Sequence, residues 1–311
     1  MSIYSFNEQV SLELCDSGLT PSVHRSMSEH RVDHSSRPLV RISIHNRFAD
    51  VPSQLDDYHS GAYKGIPWKS GCTYSAEGTP REIHFATPVF HTFLSVRKVL
   101  LPVVRSLMVS AGGFSILGTA FRWKERTWHL FGRPGAGKTS LLLSCLSQGA
   151  QLIGDFELLV SRDGVIRPLM DDIEFRYATV SSTPFWKRLN HRQQLWLLTC
   201  RLISGMTARR ISFNLVVPPR SIAIPRVEDD ALAPNVLAGI GIEEWNPNES
   251  VDDLLAYFRH YDSIYPPIFS QRTSYWDDLE ANLRRYVESC DLAGLPAGVV
   301  AEDLTTPSLT I

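Results

Sequence analysis

At 311 residues, with 43% hydrophobic and 21% charged residues, the chain carries enough apolar side chains for one large core or two ordinary ones. A formal net charge of −2 gives no global attraction to nucleic acid or to an anionic membrane, which sets those two partner classes aside. Five scattered cysteines without a C-x-x-C pair argue against a disulfide framework or a structural zinc, and suit a reducing cytosol.

The opening MSIYSFNEQVSLELC has no basic segment followed by an apolar one, so no secretory signal is read there. The most apolar early stretch, Val99 to Ile116, is broken by Pro102, Arg105 and the pair Gly112-Gly113, too interrupted to span a bilayer. A cytoplasmic location is expected.

Residues 1–90 read as a small β-rich region, with short alternating segments such as VSLEL and LVRISIHNRF between polar loops. His24, His30 and His34 fall in or beside a polar stretch read as an exposed loop rather than a metal site. A helical period follows at Leu94, Val96, Val99, Leu100, Val103, Val104 and Leu107, with Pro102 as kink or boundary and Gly112-Gly113 as the stop. FSILGTAFRW and TWHLFG, joined by KERT, predict a hairpin.

Next comes GRPGAGKT, Gly132 to Thr139, a match to G-x-x-x-x-G-K-[ST] between a strand-like run and an apolar helix. Wrapping backbone amides around a phosphate chain requires glycines, and the following helix offers free amides and the positive end of its dipole to an anion. Gly132, Arg133, Pro134, Gly135, Ala136, Gly137, Lys138, Thr139 and Ser140 are therefore the expected nucleotide-binding residues. Lys138 would reach the β- and γ-phosphates of ATP and the Thr139 hydroxyl would ligate Mg²⁺.

The helix KTSLLLSCLSQ is expected to end at Gly149. QLIGDFELLV and VIRPL around SRDG predict a second hairpin, which brings Asp155 back toward the loop only seventeen positions after Lys138. Such an acid near the metal or the attacking group is what phosphoryl transfer requires. Large ATP-driven motors place theirs much further along.

The strand, the G-x-x-x-x-G-K-T loop, the short helix, Gly149 and the apolar approach to Asp155 resemble the HPr kinase/phosphorylase family and kinase-like relatives found with peptide-modification pathways. The similarity covers roughly residues 95–180. It implies an α/β P-loop kinase core: a mixed, hairpin-rich sheet around the loop helix, preceded by a small β-rich domain and followed by C-terminal helices. It also implies ATP-dependent phosphorylation of a hydroxyl, usually a seryl side chain, with Asp155 as base and as a Mg²⁺ ligand beside Thr139. Two departures stand out. Phe156 replaces the family's second aspartate, and Leu117-Gly118 stands where the family has His-Gly, fifteen residues before the loop. Both bear on catalysis and leave nucleotide binding untouched. Glu157, two positions along the strand from Asp155, is a candidate substitute acid. IEFR is similar to the family's L-E-I-R signature and puts Glu174 and Arg176 on its charges, the alternative being an ordinary charged strand.

Farther on, STPFWKRLNHRQQLWLLTCRLISG reads as one helix from Pro184 to Gly205, ISFNLVV and SIAIPRV as strands, and two helices follow, the first capped by Ser250 and the second stopped near Gly294. The tail after Leu295 reads as loosely held. Arg209-Arg210 and Asp171-Asp172 read as exposed pairs, and the tryptophans and His129 as core packing.

The expected organisation is 1–90 β-rich, 91–230 nucleotide-binding core and 231–311 helical region with tail. The expected activity is transfer of the γ-phosphate of MgATP to a hydroxyl of a protein, peptide or small molecule. The first alternative is a nucleotide-dependent regulator that has lost transfer; an unrelated P-loop ATPase or small-molecule kinase is the second. Analogy alone allows a homo-oligomer.

Overall fold

A computed structural model describes residues 2–6, 10–16, 24, 27, 30–33, 39–63, 66–74, 80–87, 100–133, 135–169, 173–175, 177–206, 215–217, 224–227, 235–241, 247–264, 274–296, 298–301 and 304. It is a mixed α/β structure. Its contacts form two compact units, Met1–Phe114 with Tyr257–Leu279, and Ser115–Ala256 with Glu280–Ile311. No helix among the described residues is long and apolar enough to cross a membrane.

The first unit holds β1 (Ser2–Phe6), β2 (Val10–Asp16), β3 (Arg31–Val32), β4 (Leu39–His45), β5 (Asp57–Tyr63), β6 (Ile66–Tyr74) and β7 (Pro80–Ala86). They form one mixed sheet in the order β3-β1-β2-β4-β7-β6-β5, parallel where β4 meets β2 and β7. Period-two alternation buries Tyr4, Phe6, Leu12, Leu14, Ile42, Ile83 and Phe85. Two of the histidines expected in or beside an exposed loop are not exposed. His30 is buried, with its ring centroid 4.9 Å from that of Phe6, and His24 bonds the Tyr4 hydroxyl. His34 lies outside the described residues. Pro102 stands in the first turn of the described helix α1 (Leu101–Ser110) and Leu100 before it is already helical, while Leu94, Val96 and Val99 of the expected helical run lie outside the described residues. Gly113 N–H closes the helix on Met108 O at 2.9 Å.

The second unit is built on β8 (Phe114–Trp123), β9 (Arg126–Phe131), helix α2 (Lys138–Ser147), β10 (Gln151–Val160), β11 (Ile166–Pro168), β12 (Ile173–Phe175), helix α3 (Tyr177–Ser181), helix α4 (His191–Met206), β13 (Leu215–Val217) and β14 (Asn235–Ile240). Helices α5 (Pro247–Ile264) and α6 (Tyr275–Glu288) and strand β15 (Asp291–Leu295) complete the chain. The main sheet runs β11-β10-β8-β9-β14-β15, with β12 and β13 as a separate ribbon.

Both expected hairpins form. β8 and β9 pair antiparallel through Lys124 and Glu125, both left-handed at φ 51° and 62°. Two left-handed residues match a tight turn to the strand twist. β10 pairs with β11. Helix α2 buries Leu141, Leu142, Leu143, Cys145 and Leu146 in a cluster with Trp128 and Leu130 of β9 and Phe121 of β8. Gly149, at φ 98°, follows the helix as expected, and Ala150 N–H returns to Cys145 O at 3.0 Å.

Several expectations need correction. The stretch from Pro184 forms two elements, a 3₁₀ turn (Pro184–Arg188) and α4. Between them Asn190 and Gln193 exchange side-chain bonds to each other's backbone N–H, both at 3.0 Å. That reciprocal cap starts a fresh helix. Ser250 lies inside α5 and is buried, so it does not cap that helix. The sequence reading missed β14 and β15, yet these strands continue the sheet parallel to β9 and to each other. Trp123 and Trp128 are buried, whereas Trp196 is 51% exposed beside Leu195 and Leu202 on α4.

Candidate functional site

Strand β9 is an interior strand, with β8 on one side and β14 on the other. Its side chains alternate. Trp128 and Leu130 face the α2 cluster, so Thr127, His129 and Phe131 face the other way. The chain leaves β9 at Phe131, crosses Gly132 and enters α2 at Lys138, so the loop sits over the end of a buried strand. A rigid strand before it and a packed helix behind it fix both ends of the loop.

Within the loop, Gly135 and Gly137 adopt φ 90° and 107°, and a Cβ on either would meet nothing within 4 Å. The backbone thus takes a conformation costly for other residues, with free space beside both glycines. Gly137 is the residue that caps α2, and the cap carries no side-chain hydrogen bond. The first-turn amides are thus presented toward the loop. Arg133 is exposed, Ala136 packs against the core cluster, and Ser140 lies half-buried in the first turn of α2. Pro134 lies outside the described residues.

The Lys138 ammonium donates to Gly132 O at 2.6 Å and to Arg133 O at 3.3 Å. Burial pushes its pKa below the usual lysine value, and the Asp155 carboxylate partly restores it. The Thr139 hydroxyl lies 3.4 Å from each oxygen of Asp155, longer than a strong O–H···O bond. Asp155 is 7% exposed and its Oδ1 accepts a 2.5 Å bond from Thr119 on β8. Lys138, Thr139 and Asp155 therefore share one locality, as the spacing predicted.

A hydroxyl and a carboxylate form a hard oxygen set that suits Mg²⁺. Neighbouring ligands on an octahedral Mg²⁺ stand about 3 Å apart, from bond lengths of roughly 2.0–2.1 Å. The 3.4 Å between Thr139 and Asp155 is close enough for a small adjustment. The residues fit the metal.

Glu157 is 2% exposed and accepts a bond from Ser115, so its carboxylate is turned into the sheet at that hydroxyl. Between it and Asp155, Phe156 takes φ 126°, a strained value for a non-glycine residue. Leu117 is half-buried and by alternation shares the face of β8 that carries Ser115 and Thr119. The family's histidine position is thus on the Asp155 side. His129 is not, since it pairs opposite Ala120 while Thr119 pairs opposite Leu130. Gly118 leaves space for that histidine: a Cβ there would come within 3.0 Å of its Nε2.

Glu174 lies in β12 opposite Val216, but its side chain is outside the described residues, as are Arg176, Asp171-Asp172 and Arg209-Arg210. The sequence reading missed Thr119 and Ser115. A threonine or serine in a strand carries no sign of the acid it will meet on a neighbouring strand. No protein-family model matches the chain and no curated protein matches it, so the chemistry has to be read from the residues themselves.

Proposed function

We propose that the chain is a P-loop phosphotransferase of the HPr-kinase-like type, which transfers the γ-phosphoryl group of MgATP to a hydroxyl of a protein, peptide or small molecule. One observation carries this reading: the Thr139 hydroxyl and the Asp155 carboxylate meet beside a loop with left-handed glycines and a helix N-terminus capped by glycine alone. The amides of residues 135–140 would bind phosphate oxygens, and the Lys138 ammonium would leave the carbonyls of Gly132 and Arg133 to join them. Mg²⁺ held by Thr139 and Asp155 would supply charge neutralisation at the phosphates.

Asp155 would accept the proton of the acceptor hydroxyl. The acceptor oxygen bonds to the γ-phosphorus as the bond to the β–γ bridging oxygen breaks, and ADP leaves. The rest of the rate comes from orientation and charge.

Titration calorimetry with MgATP tests the site. Wild type should bind, and Lys138→Ala should bind at least about tenfold more weakly, as expected for losing charge-assisted bonds to phosphate. Failure of wild type to bind any nucleoside triphosphate would remove the reading at its root.

A second reading, a nucleotide-dependent regulator without transfer, draws on Leu117, Phe156 and the burial of Glu157 against Ser115. These leave Asp155 without a neighbouring histidine on β8 or a second aspartate. The readings separate on Asp155→Asn assayed at saturating MgATP, which abolishes phosphotransfer in a kinase and leaves a regulator's partner binding intact. Gain of ATP turnover in Leu117→His would favour the regulator.

A further inference from the structure

Asp155 is the residue on which both readings turn, and hydroxyls from α2 and β8 both approach it. From α2, the Thr139 hydroxyl stands 3.4 Å from both carboxylate oxygens and prefers neither. From β8, the Thr119 hydroxyl reaches Oδ1 alone, at 2.5 Å. A bond that short is characteristic of a hydroxyl donating to a carboxylate.

The asymmetry has a geometric consequence. A carboxylate turns easily about its last torsion, and a contact equidistant from both oxygens does little to fix that rotation. A short bond to one oxygen does fix it. Thr119 is itself immobilised: it is 1% exposed, sits in mid-strand and pairs in register with Leu130 of β9. Leu130 belongs to the core cluster that also holds α2. One packed layer therefore sets the origin of the bond and the position of Thr139.

We propose that Thr119 is a positioning residue of this site: its hydroxyl fixes the Asp155 carboxylate in the rotation that faces Thr139, and so sets affinity for the metal-bound form of the nucleotide. The inference rests on the nucleotide-site reading above. In this role Thr119 acts through Asp155, the residue its hydroxyl bonds. Removing a group that orients a metal ligand typically weakens metal affinity by about 10–100-fold. Phosphate binding by the loop and Lys138 does not depend on that rotation.

The test compares ATP in EDTA with ATP in excess Mg²⁺, by titration calorimetry, on wild type, Thr119→Val and Thr119→Ser. Valine keeps the shape and removes the donor; serine keeps the donor. Wild type should bind more tightly with Mg²⁺. Thr119→Val should bind metal-free ATP within about twofold of wild type and lose about tenfold in MgATP affinity, with Thr119→Ser restoring most of it. Should the valine variant not fold, Thr119→Cys, of similar shape and with a weak donor, serves the same comparison.

An equal loss in both titrations would mean that Thr119 only supports the fold, and would overturn the proposal. Unchanged MgATP affinity in Thr119→Val would overturn it as well, with the nucleotide site intact. If wild type binds ATP in neither condition, the site reading falls and the positioning role falls with it.

Discussion

His129 lies in the strand that feeds the phosphate loop, 1% exposed, with Nδ1 sharing a 2.9 Å hydrogen bond with the Tyr286 hydroxyl. Its Nε2 has no hydrogen-bond partner among the described residues, and burial lowers its pKa to about 4. Burial also holds the Tyr286 hydroxyl well above its usual pKa, so the pair is neutral across the physiological range. The unfolded chain takes up a proton on this histidine near pH 6.5, and the folded chain only near pH 4. Stability from this group is therefore complete above pH 6.5 and falls as pH drops toward 4. Between pH 7 and pH 5 the loss should be on the order of 2 kcal/mol. Urea denaturation at the two values should show it in wild type and show it reduced in His129→Leu. An equal loss in both proteins would assign the pH dependence to other groups. Because His129 faces away from Asp155, this variant addresses stability and leaves the proposed proton acceptor in place.

At the scale of elements, the start of α4 rests on two reciprocal hydrogen bonds. Asn190 and Gln193 close the cap, with Gln194 adding bonds from its side chain to Trp186 O and Leu189 O at 2.9 and 3.1 Å. Asn190→Ala should cost about 1 kcal/mol, the usual price of a lost side-chain cap, read as a lower melting temperature. A melting temperature equal to wild type would mean that neighbouring contacts define the helix start. Strand β15 shows a different dependence. Asp291–Leu295 has little strand signal of its own, yet its backbone pairs with β14 throughout, and Ala293 and Leu295 enter the core with α2. Its structure is supplied by its neighbour.

For the whole molecule, the candidate site lies within the unit Ser115–Ala256 with Glu280–Ile311. A ligand that binds only the folded form stabilises it by about 2.7 kcal/mol at a hundred times its dissociation constant. Saturating MgATP should therefore slow amide exchange in β8, β9, α2 and β10, while β1 to β7 exchange as before. Lys138→Ala should abolish the difference. Equal protection of both sheets would show that binding stabilises the chain as one cooperative body rather than the unit that holds the site.

The sequence by itself determined the local features: the glycine loop, the helix behind it with its Gly149 stop, the two hairpins and the return of Asp155 after a short helix. Each is written in neighbouring residues, as loop chemistry, helical period or turn composition, and needs no distant partner to be read. Tertiary structure decided the rest. It placed β8 beside β10 so that Thr119 meets Asp155 and Ser115 meets Glu157. It added β14 and β15, and it brought Tyr286 to His129. The physical reason is that sheet order joins segments far apart in the chain, and the partner of a buried polar group is chosen by that order. A strand records which of its residues alternate, but not which neighbour they will face.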